Sequence, residues 1–177
     1  MRVIGGALKG HPLKAPKGQR TRPTKDRIRE ALFSILQDVR GARVLDLFAG
    51  SGALAIEALS RGAAHATLLD TSKDSIAAIH SNLKALNLEA EVRRQAAGAF
   101  LAAAQREHRQ YDLVFVDPPY SRGSGLRERL TAALPAVLAP QARVIVESDR
   151  RAPLELEGLH LGDERRYGDT VIRIYRA

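Results

Sequence analysis

Cysteine is absent from the 177 residues, which excludes a disulfide, a thiolate metal site and a cysteine nucleophile. The five histidines (His11, His65, His80, His108 and His160) are scattered with no pair at ligand spacing, so no metal is expected. No stretch approaches the roughly 18 apolar residues of a membrane span. The opening Met1-Arg2-Val3-Ile4-Gly5 lacks the apolar core of a signal peptide. The expectation is a soluble, cytoplasmic protein away from membranes, a monomer by default. Its length suits one domain, with a small appendage at most, and is enough for a sizeable core.

Acid is scarce in one place. Residues 1–29 hold nine Lys/Arg and a single acid, Asp26, whereas the remainder holds 19 of each sign, so the formal charge of +8 sits in the first sixth of the chain. Arg2, Lys9, Lys14, Lys17, Arg20, Arg22, Lys25, Arg27 and Arg29 are interleaved with Gly, Pro and Thr. A concentrated basic segment beside a neutral remainder is an electrostatic footprint for a polyanion. Residues 2–6 and 11–15 read as two short strands around a turn region holding Lys9 and Gly10, so residues 1–40 form a basic hairpin-and-helix extension to a unit spanning 41–177.

Beyond the basic segment the chain is regular. Thr24 can cap a helix over 25–39, in which Ile28, Ala31, Leu32, Ile35, Leu36 and Val39 recur at i, i+3, i+4 spacing. Strands are expected over 43–47, 66–70, 91–94, 111–116 and 143–147, with helices over 52–61, 73–86, 97–107 and 126–138. Such alternation with short joints indicates an α/β fold, a parallel sheet covered by helices on both faces. The pattern changes at the end, where 160–167 and 170–176 are strand-like runs joined at Gly168-Asp169 without room for a helix. A mixed, mostly parallel seven-stranded sheet closing in a C-terminal antiparallel hairpin is therefore expected.

Two motifs fall on one edge of that sheet. Asp117-Pro118-Pro119-Tyr120 follows the apolar run Leu113-Val114-Phe115-Val116. A carboxylate and the carbonyl of Pro118 can accept the two N–H groups of an exocyclic amine, the prolines stiffen the loop, and Tyr120 offers a face for stacking. A strand followed by a Pro-rich turn would explain the segment alone. The second motif is Asp46-Leu47-Phe48-Ala49-Gly50-Ser51-Gly52 at the end of the first sheet strand. Its glycines let the backbone turn sharply and approach a ligand, and the next helix presents free N–H groups. Asp70 ends the following strand, where a carboxylate can accept from ribose hydroxyls. Gly50-Ser51-Gly52-Ala53-Leu54-Ala55 also fits the loose dinucleotide fingerprint of a nicotinamide oxidoreductase. Against that reading, Asp46 suits an amino group and would repel a pyrophosphate, and no hydride-transfer partner is in evidence.

Thr21-Arg22-Pro23-Thr24, the Asp46–Gly52 segment, Asp117–Tyr120 and Arg166-Tyr167-Gly168-Asp169-Thr170 together resemble the bacterial 16S ribosomal RNA guanine-N2 methyltransferase D family, and the similarity runs essentially from Met1 to Arg176. The resemblance implies a Rossmann-like class I methyltransferase fold and S-adenosyl-L-methionine as cofactor. It implies 2-methylguanine in small-subunit RNA as product, with RNA already bound by ribosomal proteins as substrate. By the same resemblance Asp46, Phe48, Ala49, Gly50, Ser51, Gly52, Asp70 and Thr71 hold the cofactor, with Ala96 and Ala97 near its adenine and Arg22 and Thr24 over the pocket. Asp117, Pro118, Pro119 and Tyr120 carry the chemistry. Lys9, Lys14, Lys17, Arg20, Arg22, Lys25, Arg27 and Arg122 form the RNA-binding surface. The chain departs from the family at Ala96, where an Asp commonly accepts the adenine amine; Gln95 or water can substitute. Glu147, at the end of the fifth strand, points toward the same edge and can reach the base, although a solvated strand-end acid is the plainer reading. The same Asp-Pro-Pro-Tyr chemistry serves adenine-N6 methylation of RNA or DNA. A non-catalytic RNA-binding protein on a methyltransferase scaffold is a further reading.

Overall fold

The computed structural model describes residues 1–18, 23–119 and 125–177, with Pro23, Thr24 and Lys25 described as backbone only. In chain order the elements are α1 (Pro23–Leu36), β1 (Arg43–Asp46), α2 (Ala53–Ser60), β2 (His65–Asp70), α3 (Lys73–Ala85), β3 (Glu91–Arg94), α4 (Ala97–Arg106) and β4 (Tyr111–Val116). They continue with α5 (Leu126–Ala133), a 3-10 turn (Leu134–Val137), β5 (Leu138–Asp149), β6 (His160–Tyr167) and β7 (Thr170–Arg176). The strands form one sheet in the order β3-β2-β1-β4-β5-β7-β6. β1 to β5 are parallel, and β7 runs antiparallel between β5 and β6. The order reverses beside β1, whose neighbours β2 and β4 lead away in opposite directions. A ligand crevice is expected there, outside the carboxyl ends of the strands.

Alternate strand residues feed two cores, as the period of two requires. On one face Val44, Leu68, Leu113 and Phe115 meet Ile28 and Leu32 of α1, Ile56 of α2 and Ile79 of α3. On the other, Leu45, Leu69, Val114 and Val116 meet Phe100 and Leu101 of α4, Leu130 of α5 and Leu134. Each fully buried Leu or Phe contributes about 1.5–3 kcal/mol, so packing rather than local propensity holds strands this short.

Three elements differ from their sequence expectation. α1 ends at Leu36 instead of residue 39, because Gln37 takes a left-handed φ of 56° and Arg143 from β5 donates to the carbonyls of Leu36 (2.5 Å) and Asp38 (3.2 Å). The helix expected over 126–138 tightens into the 3-10 turn at Pro135, which has no N–H to give to Thr131. β5 begins earlier than expected, since Leu138 already pairs with Tyr111.

The N-terminal pairing is also shorter than two full strands. Val3 N–H donates to the His11 carbonyl (2.9 Å) and Leu13 N–H to that of Met1 (3.0 Å), around a single bridge between Arg2 and Pro12. The next donors are diverted, because Ile4 and Gly5 N–H donate to the Glu57 carboxylate at 2.8 and 2.7 Å. Gly6 then turns at φ 76°, so close to α2 that a Cβ would stand 1.9 Å from the Ser60 carbonyl oxygen. Glu57, 1 % exposed, also pairs with Arg61 (2.8 Å) and Arg29 (3.6 Å). Through Val3 and Leu13 the segment shares the core of α1 to α3.

Candidate functional site

Four carboxylates leave four neighbouring strands at their carboxyl ends: Asp70 from β2, Asp46 from β1, Asp117 after β4 and Glu147 from β5. Alternation sends them to one face. Asp46 lies between Leu45 and Leu47, both in the core of α4 and α5, so it faces α1 to α3, and Asp70 follows Leu69 in the same phase. All four line one cavity of about 760 Å³, together with Asp26 and Asp169. Arg29 is the one Lys or Arg among the described lining residues. It is 4 % exposed and committed to Asp26 at 3.1 Å, the Arg2 carbonyl and Glu57. Burial lowers its pKa, against the raising effect of Asp26 and Glu57. In a chain with a charge of +8 the described lining of the pocket is therefore acidic, which suits a cationic ligand.

The loop after β1 stays tied to both neighbouring strands. Leu47 N–H donates to the Phe115 carbonyl (3.1 Å) and Ala49 N–H to that of Leu69 (2.8 Å). Gly50 and Gly52 sit at φ 57° and 81°, and a Cβ on Gly52 would meet Leu68 at 3.0 Å, so glycine is required there on two counts. Asp70 fixes this loop itself: its two oxygens accept the N–H groups of Gly50 (2.9 Å) and Ser72 (2.8 Å). Each oxygen keeps a lone pair for a further donor.

Asp46 is different. It is 1 % exposed, and neither oxygen accepts a hydrogen bond of normal geometry from the described residues. Burial, and then the charges of Asp117 and Asp70, push its pKa up to about 8, while the N–H groups of Phe48 and Ala55 pull the other way. An unsatisfied carboxylate in such a place costs several kcal/mol once ionised. A cationic hydrogen-bond donor entering the cavity would remove that cost.

Most of the residues singled out in the sequence converge here. Asp46, Phe48, Ala49, Gly50, Ser51, Asp70, Thr71, Ala97, Asp117, Pro118 and Pro119 line the cavity. Gly52 lies behind it as the N-cap of α2, and Ala96 is the exposed N-cap of α4, so Gln95 and Ala97 form the wall at that point. Lys9, Lys14, Lys17 and Arg27 are exposed. Arg20, Arg22, Tyr120, Arg122 and the side chains of Thr24 and Lys25 lie outside the described residues. No group of three or more His, Asp and Glu among the described residues could hold a metal ion, and no described helix is long and apolar enough to cross a membrane.

The family model described as Conserved hypothetical protein 95 matches residues 1–176. Ribosomal RNA small subunit methyltransferase D of Escherichia coli K12 is 39 % identical over 182 residues, covering 99 % of this chain and 89 % of that protein. The chain belongs to the ribosomal RNA small subunit methyltransferase D family. Solved structures agree with the membership. An Escherichia coli protein, yhhF, whose name proposes a methyltransferase, superposes with a TM-score of 0.86 at 37 % identity over 99 % of this chain and 97 % of that one. A hypothetical protein of Thermus thermophilus gives 0.85 at 28 % identity over 100 % and 99 %.

Two residues that hold this family member's site together were not apparent from its sequence. Asn82, 2 % exposed on α3, donates to the carbonyls of Ser51 and Lys14 at 2.9 Å each and accepts from Lys14 N–H at 2.8 Å. It thereby fastens the glycine loop to the N-terminal segment. Glu57 ties the same N-terminal segment to α2, through the N–H groups of Ile4 and Gly5. Each is the largest polar residue on a buried helix face that is otherwise small or apolar, which is the one signal the sequence offers.

Proposed function

We propose that the protein transfers a methyl group from S-adenosylmethionine to the exocyclic 2-amino group of a guanine in 16S ribosomal RNA, in an assembled or partly assembled small subunit, in the cytoplasm. The observation that carries this reading is the meeting, in one acidic cavity at the switch point, of a buried Asp46 that accepts no hydrogen bond of normal geometry from the described residues with the Asp117-Pro118-Pro119 loop. The cavity suits the cofactor's two positive groups, its ammonium and its sulfonium. When bound, the cofactor supplies a methyl group already activated for transfer.

The protein's own residues then have three tasks. Asp46 accepts the α-ammonium, Asp70 accepts from ribose hydroxyls with its remaining lone pairs, and Gln95 and Ala97 border the adenine. Asp117 and the Pro118 carbonyl orient the acceptor amine, whose lone pair is otherwise delocalised into the purine ring. Holding it at near-attack distance in a site closed to bulk water is the main source of rate. Asp117 also stabilises positive charge developing on that nitrogen, and either Asp117 or water takes the proton. Residues 1–40 serve as the RNA-facing extension, with Lys9, Lys14, Lys17 and Arg27 on phosphates, and residues 41–177 as the catalytic unit.

The test is incubation with labelled S-adenosylmethionine and either naked small-subunit RNA or partly assembled subunits from cells lacking the enzyme, followed by digestion to nucleosides. Label in 2-methylguanosine, with the assembled particle as the better substrate, is the expected result. Label in N6-methyladenosine would keep the chemistry and overturn the base. Absence of transfer together with absence of cofactor binding would overturn the reading entirely.

A further inference from the structure

Gripping an amine at Asp117 and Pro118 does not choose between guanine and adenine, since both bases carry one. The cavity has a second half that can. It divides at β4, with Asp46, Gly50 and Asp70 over β1 and β2, and Glu147, Tyr167 and the Gly168–Asp169 turn over β5, β7 and β6. Val116 pairs in register with Val146, so the next residues along, Asp117 and Glu147, leave adjacent parallel strands side by side. Strand spacing places such neighbours about 5 Å apart. Phe115 and Ile145, two positions earlier, both enter the core of α1 to α3, so alternation carries both carboxylates to the same face. Glu147 is half-buried, and Tyr167, packed against that core, closes the far side of this half.

Guanine places a protonated N1 beside its 2-amine, whereas adenine places a bare N1 lone pair beside its 6-amine. A carboxylate next to the amine grip satisfies the first and repels the second. We propose that Glu147 is a specificity-determining residue of the acceptor pocket, accepting the N1–H of the target guanine while Asp117 and the Pro118 carbonyl hold the 2-amine; this rests on the guanine reading above. Loss of a hydrogen bond to a charged acceptor is expected to cost about 10- to 100-fold in kcat/KM.

Small subunits reconstituted with either guanosine or 2-aminopurine riboside at the methylated position test it. 2-Aminopurine keeps the 2-amine but has no proton on N1. The wild-type protein should favour guanosine by about 10- to 100-fold in kcat/KM. Glu147→Gln, whose amide can turn an N–H toward a bare N1, should bring the two rates together by slowing guanosine, with the dissociation constant for S-adenosylmethionine unchanged. Glu147→Asp should keep part of the preference. An unaltered preference in Glu147→Gln overturns the proposal. So does wild-type protein that methylates both RNAs equally, an arm that needs no variant to fold. Label in N6-methyladenosine would instead sink the guanine reading, and 2-methylguanosine with no preference to lose sinks only the role of Glu147.

Discussion

Replacing Asp46 by Asn should stabilise the free protein by an amount that grows with pH. The carboxyl is raised from its ordinary 3.8 to about 8 by burial and by Asp117 and Asp70. Between those values the unfolded chain has released the proton and the folded protein keeps it, so the folded state binds more protons and stability falls as pH rises. The carboxyl's contribution is complete below about pH 4 and is lost by about pH 8. The slope is about 1.4 kcal/mol per pH unit across that window. Asn has the same shape and does not titrate, so the gap between variant and wild type should widen by up to about 1.4 kcal/mol for each unit. At roughly 2–4 °C per kcal/mol for a chain of this size, that is about 3–6 °C in Tm per unit.

The assay is urea unfolding of both proteins from pH 5 to 8.5 without cofactor. Other titrating groups act on both proteins and largely cancel in the difference. Two stability curves that run parallel with pH would refute the reasoning, because the carboxyl would then titrate alike folded and unfolded. The gain in stability should come with a loss in binding. The substituted amide no longer neutralises an ammonium, so the dissociation constant of Asp46→Asn for S-adenosylmethionine should rise about 10- to 100-fold above pH 8.

Two further substitutions separate the chemistry from the scaffold. Asp117→Asn should lower turnover by about 100-fold or more while leaving cofactor affinity within a few-fold, and equal turnover by the variant would remove Asp117 from the mechanism. Glu57→Gln takes the charge from a group that accepts Ile4 and Gly5 N–H and pairs Arg61 and Arg29, so it should cost about 3–5 kcal/mol in urea unfolding. A cost below about 1 kcal/mol would show that the N-terminal segment does not depend on this contact.

The alternation of strands and helices could be read from the sequence because buried parallel strands are short apolar runs, and the acids of the site stand out by interrupting or ending them. Asp46 within Val44-Leu45-Asp46-Leu47 is visible in that way, and so is Asp117 after Val116. What could not be read depends on partners far along the chain. Val39 continues the apolar spacing of α1 and is buried, yet it lies beyond the helix, whose last carbonyl, that of Leu36, is taken by Arg143 more than a hundred residues later. The two N-terminal strands failed to extend for the same kind of reason, since Glu57 captures donors that the ladder would have used. Local patterns fix which face of an element is apolar. They do not say which distant side chain will finish its hydrogen bonds.

The same limit applies to charge, where the total misleads and the distribution explains. Counted along the sequence, Arg29 belongs to the basic segment; folded, it is buried against Asp26 and Glu57 and contributes nothing to the outer surface. The exposed Lys9, Lys14, Lys17 and Arg27 remain outside, while six carboxylates line the cavity. On the proposed function these two fields do not compete. A phosphate backbone drawn to these exposed cations would be repelled by the cavity, whereas a neutral base swung out of the RNA can enter it and the net cationic methionine end of the cofactor is attracted. With screening over about 10 Å at ordinary ionic strength, each field acts mainly on the ligand nearest to it. The separation of charge thus sorts the two substrates: the polyanion stays outside, and only its base reaches Asp117.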